Sequence, residues 1–480
     1  MSSLKSNYLF NLLNTISGLL FPIITFPYVA RILMADGIGQ VNFYTSIISY
    51  ISTFTSLGIP IYAIRAIAQS KNDIEERNKT ALELLILHSI LTIAGYIAVF
   101  ILAETVTKIQ ANIPLFLILS TNLIFTTIGC EWFYQGIEDF KYITIRGLII
   151  KILSVILLFI LVKDKSDLLY YGIYSVIGVV GGNIFNFIRL RKYLHPLQFK
   201  IQKLQPLRHF KSCAKILVIN LVSSIFLQLD TVMLGFLKDN AAVGYYSAAL
   251  KITKMLMGIT TSLCVVILPR FSSLAIQNNK EELKALLEKA LNFTVLVSAP
   301  LAVGLITMAP TLINMFCGKD FMPSIVTMRI TAPIILTISI SYLLCQFLFS
   351  LGKETLSIYT ALVSAITNLV LNLIFIPFLS QDGAAIGTLF AELGGMITYI
   401  ILCKRLIKIK LMNKQIKIFL IASVAMGIII WPIYLLNLNH LYNLLLIPAI
   451  GTIIYFGILY GFRSPQALEL ILLLKNKLKK

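Results

Sequence analysis

RLRKYLHPLQFKIQKLQPLRHFKSCAK, Arg189–Lys215, is the stretch on which the reading of the fold turns. It carries eight Lys or Arg and no Asp or Glu, and nothing else in the chain stays polar for so long. On either side the sequence runs in long apolar segments divided by short polar ones. Over all 480 residues, 58% are hydrophobic and 13% charged, with mean hydropathy +0.87. A soluble domain has about 45–50% apolar and about 25% charged residues, so this chain has no water-soluble fold. One membrane helix takes about 20 apolar residues, and the apolar content suffices for about a dozen. A single-pass receptor, a cytosolic enzyme and a secreted protein are excluded. A transmembrane barrel is disfavoured, because its strands alternate polar and apolar over about 10 residues.

Counting outward from the connector gives an all-α polytopic membrane protein of about 14 transmembrane helices. Six precede it, at 8–33, 41–66, 82–103, 113–135, 147–162 and 169–188. Six follow, at 212–237, 244–269, 287–310, 326–350, 357–379 and 385–403, then a pair at 417–436 and 441–462. The first run, following Lys5, extends past residue 30 and is too long for a signal-peptide core, so it reads as a span. The expected organisation is a six-helix lobe (1–190), a basic cytoplasmic connector (191–211) and a second six-helix lobe (212–405). An additional helix pair (406–462) and a tail (463–480) complete it. The tail alternates apolar and basic residues like a helix lying on the membrane surface.

The net charge of +20 fits this topology without nucleic acid. With the N-terminus inside, inner segments hold 31 Lys or Arg, outer segments hold 6, and 4 lie within spans. Cytoplasmic loops are enriched in Lys and Arg, so both termini are expected in the cytoplasm. The six cysteines lack CxxC spacing and read as small buried hydrophobes. The four histidines form no metal motif, and no GxxxxGK nucleotide loop exists, so no metal and no direct ATP drive are expected.

The halves resemble each other. NTIS at Asn14 matches NLVS at Asn220, offset by 206, and IGQVNFY at Ile38 matches VGYYSAA at Val243, offset by 205. Arg65 and Arg270 share the 205 offset, and Asp167 and Gly172 match Asp382 and Gly387 at 215. Six spans per half is even, so both repeats share one orientation, related by an axis along the membrane normal. Two parallel-repeat lobes about a central cavity are a transporter plan.

A charge at mid-membrane costs about 2.5–3.5 kcal/mol on insertion scales, so each such residue asks for a cavity or a partner. The basic set is Arg31, Arg65, Lys151, Lys251, Lys254, Arg270 and Arg329; the acidic set is Glu83, Glu131, Asp230, Glu288 and Glu392. Arg31, Arg65 and Arg270 lie near span ends, where snorkelling to headgroups is the alternative reading. Lys251 and Lys254, three apart, share a helix face and repel unless an anion sits between them. Asp230, in LVSSIFLQLDTVMLGF, and Glu392, in IGTLFAELGG, are carboxylates in apolar runs, suited either to ion coupling or to hydrogen bonds with neighbouring helices. Pro22 and Pro27 permit a bend in the first span.

The segment EWFYQGIEDFKYITIRGLIIKIL, from Glu131, joins an aromatic-rich span end to a turn and a basic entry into the fifth span. It resembles the Wzx-type polysaccharide repeat-unit flippases, the O-antigen and capsule transporters of the MOP superfamily, with their MATE-like fold. FPYVARILMADGIGQVNFYTSI, LDTVMLGFLKDNAAVGYYSAALKI and DGAAIGTLFAE are similar to further stretches of that family, and the likeness covers about residues 1–405. The resemblance implies a flippase, not an enzyme, moving undecaprenyl-diphosphate-linked oligosaccharide from the inner to the outer face of the bacterial cytoplasmic membrane. It implies a coupling proton or sodium ion in place of a cofactor. The implied partners are the lipid-linked oligosaccharide and membrane lipids, with the polysaccharide polymerase and chain-length regulator of surface polysaccharide (lipopolysaccharide or capsule) assembly. Trp132, Gln135, Gly136 and Glu138 match the family pattern as packing elements. On this view the seven basic residues meet the diphosphate, and Asp230, Glu131 and Glu392 couple the ion. Rival readings are a peptidoglycan-precursor (lipid II) flippase, a multidrug/cation exporter, and a membrane glycosyltransferase or polysaccharide polymerase. The intramembrane basic excess disfavours the exporter, and the short outer loops disfavour the enzyme.

Overall fold

The computed structural model of the chain describes residues 4–194, 204–277, 279–407, 409–410, 412–435 and 440–466. The middle of the connector and most of the expected surface tail lie outside the described residues. Regular structure among the described residues is entirely helical, and the chain divides into two compact units, Met1–Gly244 and Tyr245–Lys480.

In the first unit, α1 (Leu4–Ser56) runs through two expected spans and breaks at Met34, whose φ of 58° interrupts the helix. Gly58, at φ 75°, turns the chain into α2 (Ile59–Gln69). A Cβ there would lie 2.8 Å from Ile216 and 2.9 Å from the Cys213 carbonyl, so the turn needs glycine for both conformation and space. The carboxylate of Asp73 accepts the Glu76 N–H at 3.0 Å and starts α3 (Ile74–Thr105), with Glu75 and Glu76 favourably placed in its first turn. After the short α4 (Thr107–Gln110), Asn112 caps α5 (Ile113–Gly129). Left-handed Cys130, φ 42°, then offsets α6 (Glu131–Gly136), and Asp139 caps α7 (Phe140–Leu161). α8 (Leu168–Val180) and α9 (Asn183–Leu190) form a pair bent by 45°. α10 (Phe210–Leu237) follows the connector and is grouped with this unit because it lies along α1. Ser46 Oγ donates to Gln228 Oε1 at 3.0 Å, and the Thr53 and Ser224 hydroxyls meet at 3.0 Å.

α11 (Asn240–Ile276) opens in the first unit and continues into the second. The second unit then holds α12 (Lys280–Phe316), α13 (Ser324–Thr331), α14 (Ile334–Ser350), α15 (Leu356–Leu406), α16 (Lys414–Leu435) and α17 (His440–Gly461). α15 repeats the behaviour of α1: it runs through two expected spans and breaks once, at Ser380 with φ 52°. One apolar core joins α12, α16 and α17 through Leu296, Phe419, Met426 and Tyr455, and another joins α11, α12 and α14 through Phe271, Leu287 and Phe347.

Among the described residues, eight helices are long and apolar enough to cross a membrane, or up to ten if each of two bent pairs is one span. α7 shows why this is a membrane surface. Ile149, Ile152, Leu153, Ile156, Phe159 and Ile160 are all exposed, a patch that water would not tolerate and lipid chains cover. Helix association in lipid depends on close packing and polar contacts between helices, not on apolar burial.

Two close backbone approaches involve glycines at the 205 offset noted in the sequence. A Cβ on Gly39 would meet the Asn240 carbonyl at 1.6 Å, and one on Gly244 would meet the Ala35 carbonyl at 2.0 Å. Gly39 and Gly244 differ by 205, as do Ala35 and Asn240. The two approaches are thus reciprocal, Gly39 against Asn240 and Gly244 against Ala35.

Candidate functional site

In the first unit the charges gather on α6, α7 and the entry to α10. The break at Cys130 places Glu131 in the first turn of α6, where its Oε2 accepts from Arg146 Nη2 of α7 at 3.0 Å. Gln135 Nε2 donates to the other Glu131 oxygen at 3.3 Å, and Arg146 Nη1 reaches the Gly182 carbonyl at 3.5 Å. Further along α7, Lys151 Nζ donates to the buried Ser17 hydroxyl of α1 at 2.8 Å and feels the Glu131 charge. Glu131, expected as an ion-coupling group, is therefore ion-paired, with an arginine outside the expected set. Arg31 and Arg65 are exposed, whereas Asp230 is 6% exposed and within electrostatic reach of Tyr50.

Glu83 is fully buried and collects three donors. Gln205 N–H reaches Oε1 at 2.9 Å, Arg208 Nε reaches Oε2 at 2.7 Å, and His209 Nε2 lies 2.9 Å from Oε2. Arg208 Nη2 also holds Glu76 at 2.8 Å, and His209 Nδ1 pairs with the Tyr62 hydroxyl at 2.9 Å. One tautomer satisfies the ring: Nε2–H donates to Glu83 and Nδ1 accepts from Tyr62. Burial holds the His209 pKa below its ordinary value, outweighing the Glu83 bond that raises it, and the adjacent Arg208 charge lowers it further. This cluster ties the end of the connector to α3. Glu83 was visible in sequence as a charge in an apolar run, but its partners lie about 125 residues away.

In the second unit, Lys251 is half-buried and Lys254 exposed on α11, three residues apart as expected. Arg329 of α13 is fixed by neutral groups. Its Nε donates to the Ile306 carbonyl of α12 at 3.3 Å, and its guanidinium lies 5.3 Å from the centre of the Trp431 ring of α16. Arg270 is exposed and lines a cavity of about 470 Å³ with Glu282 and Lys289. Glu392 is half-buried on α15, where Asp382 accepts from Thr327 Oγ1 at 2.6 Å. A second cavity of about 470 Å³ between α12, α16 and α17 is lined by Phe293, Val297, Pro300, Ile447, Pro448 and Tyr455, with no charged group in its wall. The expected site residues are thus divided five and five between the units. Those of the first unit include Lys151 and Glu131, which share an electrostatic neighbourhood.

Arg146, Arg208 and Lys108 were not singled out from sequence. Lys108 donates to the Gly235 carbonyl at 2.7 Å and to that of Lys238, bolting the short α4 segment to the end of α10.

With this geometry in hand, known proteins give three kinds of likeness. The profile of the family described as "Polysaccharide biosynthesis protein" matches residues 4–275, and that of MatE matches residues 216–374. A curated protein of Shigella dysenteriae, named "Putative O-antigen transporter", is 26% identical over 395 residues, covering 81% of this chain and 97% of that one. Among solved structures, the lipid II flippase MurJ in its inward closed conformation superposes with a TM-score of 0.75 at 18% identity, over 95% of this chain and 99% of that one. An inward-facing multidrug resistance MATE transporter of the MOP superfamily gives 0.62 at 14% identity, over 81% and 93%. These structural likenesses concern the fold.

Proposed function

The chain belongs to the polysaccharide biosynthesis protein family, and from that premise we propose that it flips undecaprenyl-diphosphate-linked oligosaccharide repeat units across the bacterial cytoplasmic membrane for surface polysaccharide assembly. It is a multi-pass, all-helical transporter of the MOP superfamily that handles a lipid-linked substrate in the membrane, and not an enzyme. The observation that carries the finer reading is the sign of the intramembrane charge. Seven basic side chains stand in or beside the apolar helices, while Glu83 and Glu131 already face Arg208 and Arg146. A diphosphate needs cationic donors in a dehydrated cavity, and Lys251, Lys254 and Arg329 are the proposed core of that set. Arg31, Arg65, Lys151 and Arg270 guide the headgroup along the way. Asp230 and Glu392 are the proposed coupling carboxylates for a proton or sodium ion. Glu131 exchanges an ion only by releasing Arg146.

The fourteen-span, two-lobe topology belongs to the same proposal. The single breaks in α1 and α15 support it, as does the reciprocal contact of Gly39 and Gly244. The charge count supports cytoplasmic termini. Two lobes rocking about a midplane site give alternating access, and the lipid tail stays in the bilayer while the headgroup crosses.

A second reading, a peptidoglycan-precursor flippase, is the one the fold favours: the lipid II flippase superposes better than the multidrug transporter. Family and curated relative favour the first. Both substrates are lipid diphosphates, so charge does not separate them. The test is the sidedness of lipid-linked oligosaccharides in cells depleted of the protein. Completed repeat units trapped on the inner leaflet, with peptidoglycan synthesis intact, bear out the first reading. Trapped lipid II establishes the second. Units that reach the outer face unpolymerised refute both.

A further inference from the structure

α7 and α9 enclose a cavity of about 480 Å³ that has a charged end and an apolar end. Asp139, Lys141, Arg146 and Arg189 surround the first; Ile149, Leu153 and Phe185 line the second. We infer that this cavity is a binding site for one anionic glycerophospholipid of the cytoplasmic leaflet, its phosphodiester set among Lys141, Arg146 and Arg189 and an acyl chain along α7. The placement in that leaflet rests on the orientation proposed above.

The electrostatics favour an anion. Arg189 pairs with Asp139 at 2.8 Å and Arg146 with Glu131 at 3.0 Å. The cavity wall carries three cations, Lys141, Arg146 and Arg189, against the single carboxylate of Asp139, a net positive lining that suits an anionic headgroup. Both arginines are held in place before any ligand arrives. The Arg189 guanidinium stacks 3.9 Å from the centre of the Tyr142 ring and the Arg146 guanidinium lies 6.0 Å from it. The Arg189 side chain stays about one-third exposed beside Asp139 and, like the exposed Lys141, faces the cavity. Planar guanidinium groups suit phosphate oxygens, and basic pockets between membrane helices on the cytoplasmic side bind anionic headgroups. The apolar end supplies the rest. Ile149, Leu153 and Phe185 are each about half exposed, continuing the headgroup pocket into a strip that a chain covers. The volume lies within the range of about 300–1,000 Å³ of small-ligand pockets, room for a headgroup and upper methylenes and not for an oligosaccharide.

The test is native mass spectrometry of the full-length protein in detergent, titrated with phosphatidylglycerol and with phosphatidylcholine of the same chains. Wild type should retain phosphatidylglycerol about fivefold better, Lys141→Gln should lose about that factor, following about 1 kcal/mol per basic residue near anionic lipid, and Leu153→Trp, which fills the apolar end, should weaken retention further. Both variants alter exposed side chains, and an unchanged unfolding midpoint verifies their fold. Equal retention of the two lipids by wild type overturns the inference, as does unchanged phosphatidylglycerol retention in both variants. Inorganic phosphate that binds Leu153→Trp and wild type alike makes this an anion site and not a lipid site. Undecaprenyl diphosphate that outcompetes phosphatidylglycerol assigns the cavity to the substrate. Because translocation is not the readout, the transport proposal can fail while this site stands, and the reverse.

Discussion

The two units hold their intramembrane charges differently. In the first, Glu83 is ion-paired with Arg208 and accepts from the neutral His209 ring, and Glu131 is ion-paired with Arg146, each through bonds of 3.0 Å or less. In the second, the contacts that fix Arg329 are a carbonyl and an indole ring, neither of which carries negative charge. The difference separates two uses of a buried charge. An ion pair between helices spends its field on the fold, and removing one member leaves the other stranded. A cation held by neutral groups keeps its field for an anion that comes and goes.

The comparison breaks most readily at Glu83. Glu83→Gln should cost about 1.5–3 kcal/mol, the scale for hydrogen bonds to a buried charged group, since Arg208 keeps its pair with Glu76, and thermal unfolding in detergent measures it. Glu288→Gln in the second unit, whose carboxylate accepts the exposed Lys410 N–H at 3.1 Å, should cost less than about 1 kcal/mol by the same assay. A Glu83→Gln midpoint equal to that of Glu288→Gln removes the structural role given to the cluster.

Next in size is the glycine contact. Gly39→Val and Gly244→Val each press a side chain onto backbone, and overpacking typically costs about 1–3 kcal/mol. Because they open the same contact, the double substitution should cost less than the sum. Strict additivity measured by unfolding contradicts the reciprocal arrangement.

The sharpest contrast between units pairs Arg329→Gln with Arg146→Gln. The first should cut translocation about tenfold, equivalent to about 1.4 kcal/mol, with little change in unfolding midpoint. The second should lower the midpoint, since it removes the bridge from α7 to Glu131 of α6 and to the Gly182 carbonyl. Translocation rate and midpoint, measured on both, exchange places if the assignment is reversed.

The smallest effect is the response to pH. Burial depresses the His209 pKa, so the neutral ring is the form the fold prefers. Its stabilisation is complete above the unfolded value of about 6.5 and is lost as pH falls through the lower folded value. Stability should therefore be flat from pH 8 to about 6.5 and decline below it, and His209→Gln should flatten part of that decline. A stability that rises on acidification contradicts the neutral ring.

The helices were legible because apolar runs of about 20 residues between polar gaps are a one-dimensional signal. The breaks at Met34 and Ser380 fall in gaps that the sequence shows. Asp73, Asn112 and Asp139 also sit where local capping chemistry puts them. The pairings were not legible. Arg146 finds Glu131 across the break at Cys130, Arg208 finds Glu83 over 125 residues, and Lys108 finds two carbonyls that no side-chain pattern announces. Sequence shows that a charge in an apolar run needs a partner; only packing shows which. The same reason explains why Glu131 read as a coupling group and is seen as half of an ion pair.

Reconstitution with purified lipid-linked substrates tests the central claim most directly. The protein is placed in proteoliposomes loaded in the inner leaflet with either undecaprenyl-diphosphate oligosaccharide or lipid II, and the appearance of each at the outer surface is followed. Faster transfer of the oligosaccharide, reduced about tenfold by Arg329→Gln and by Lys251→Ala with Lys254→Ala, is the predicted result. Transfer of neither lipid diphosphate, or transfer indifferent to these cations, would contradict it.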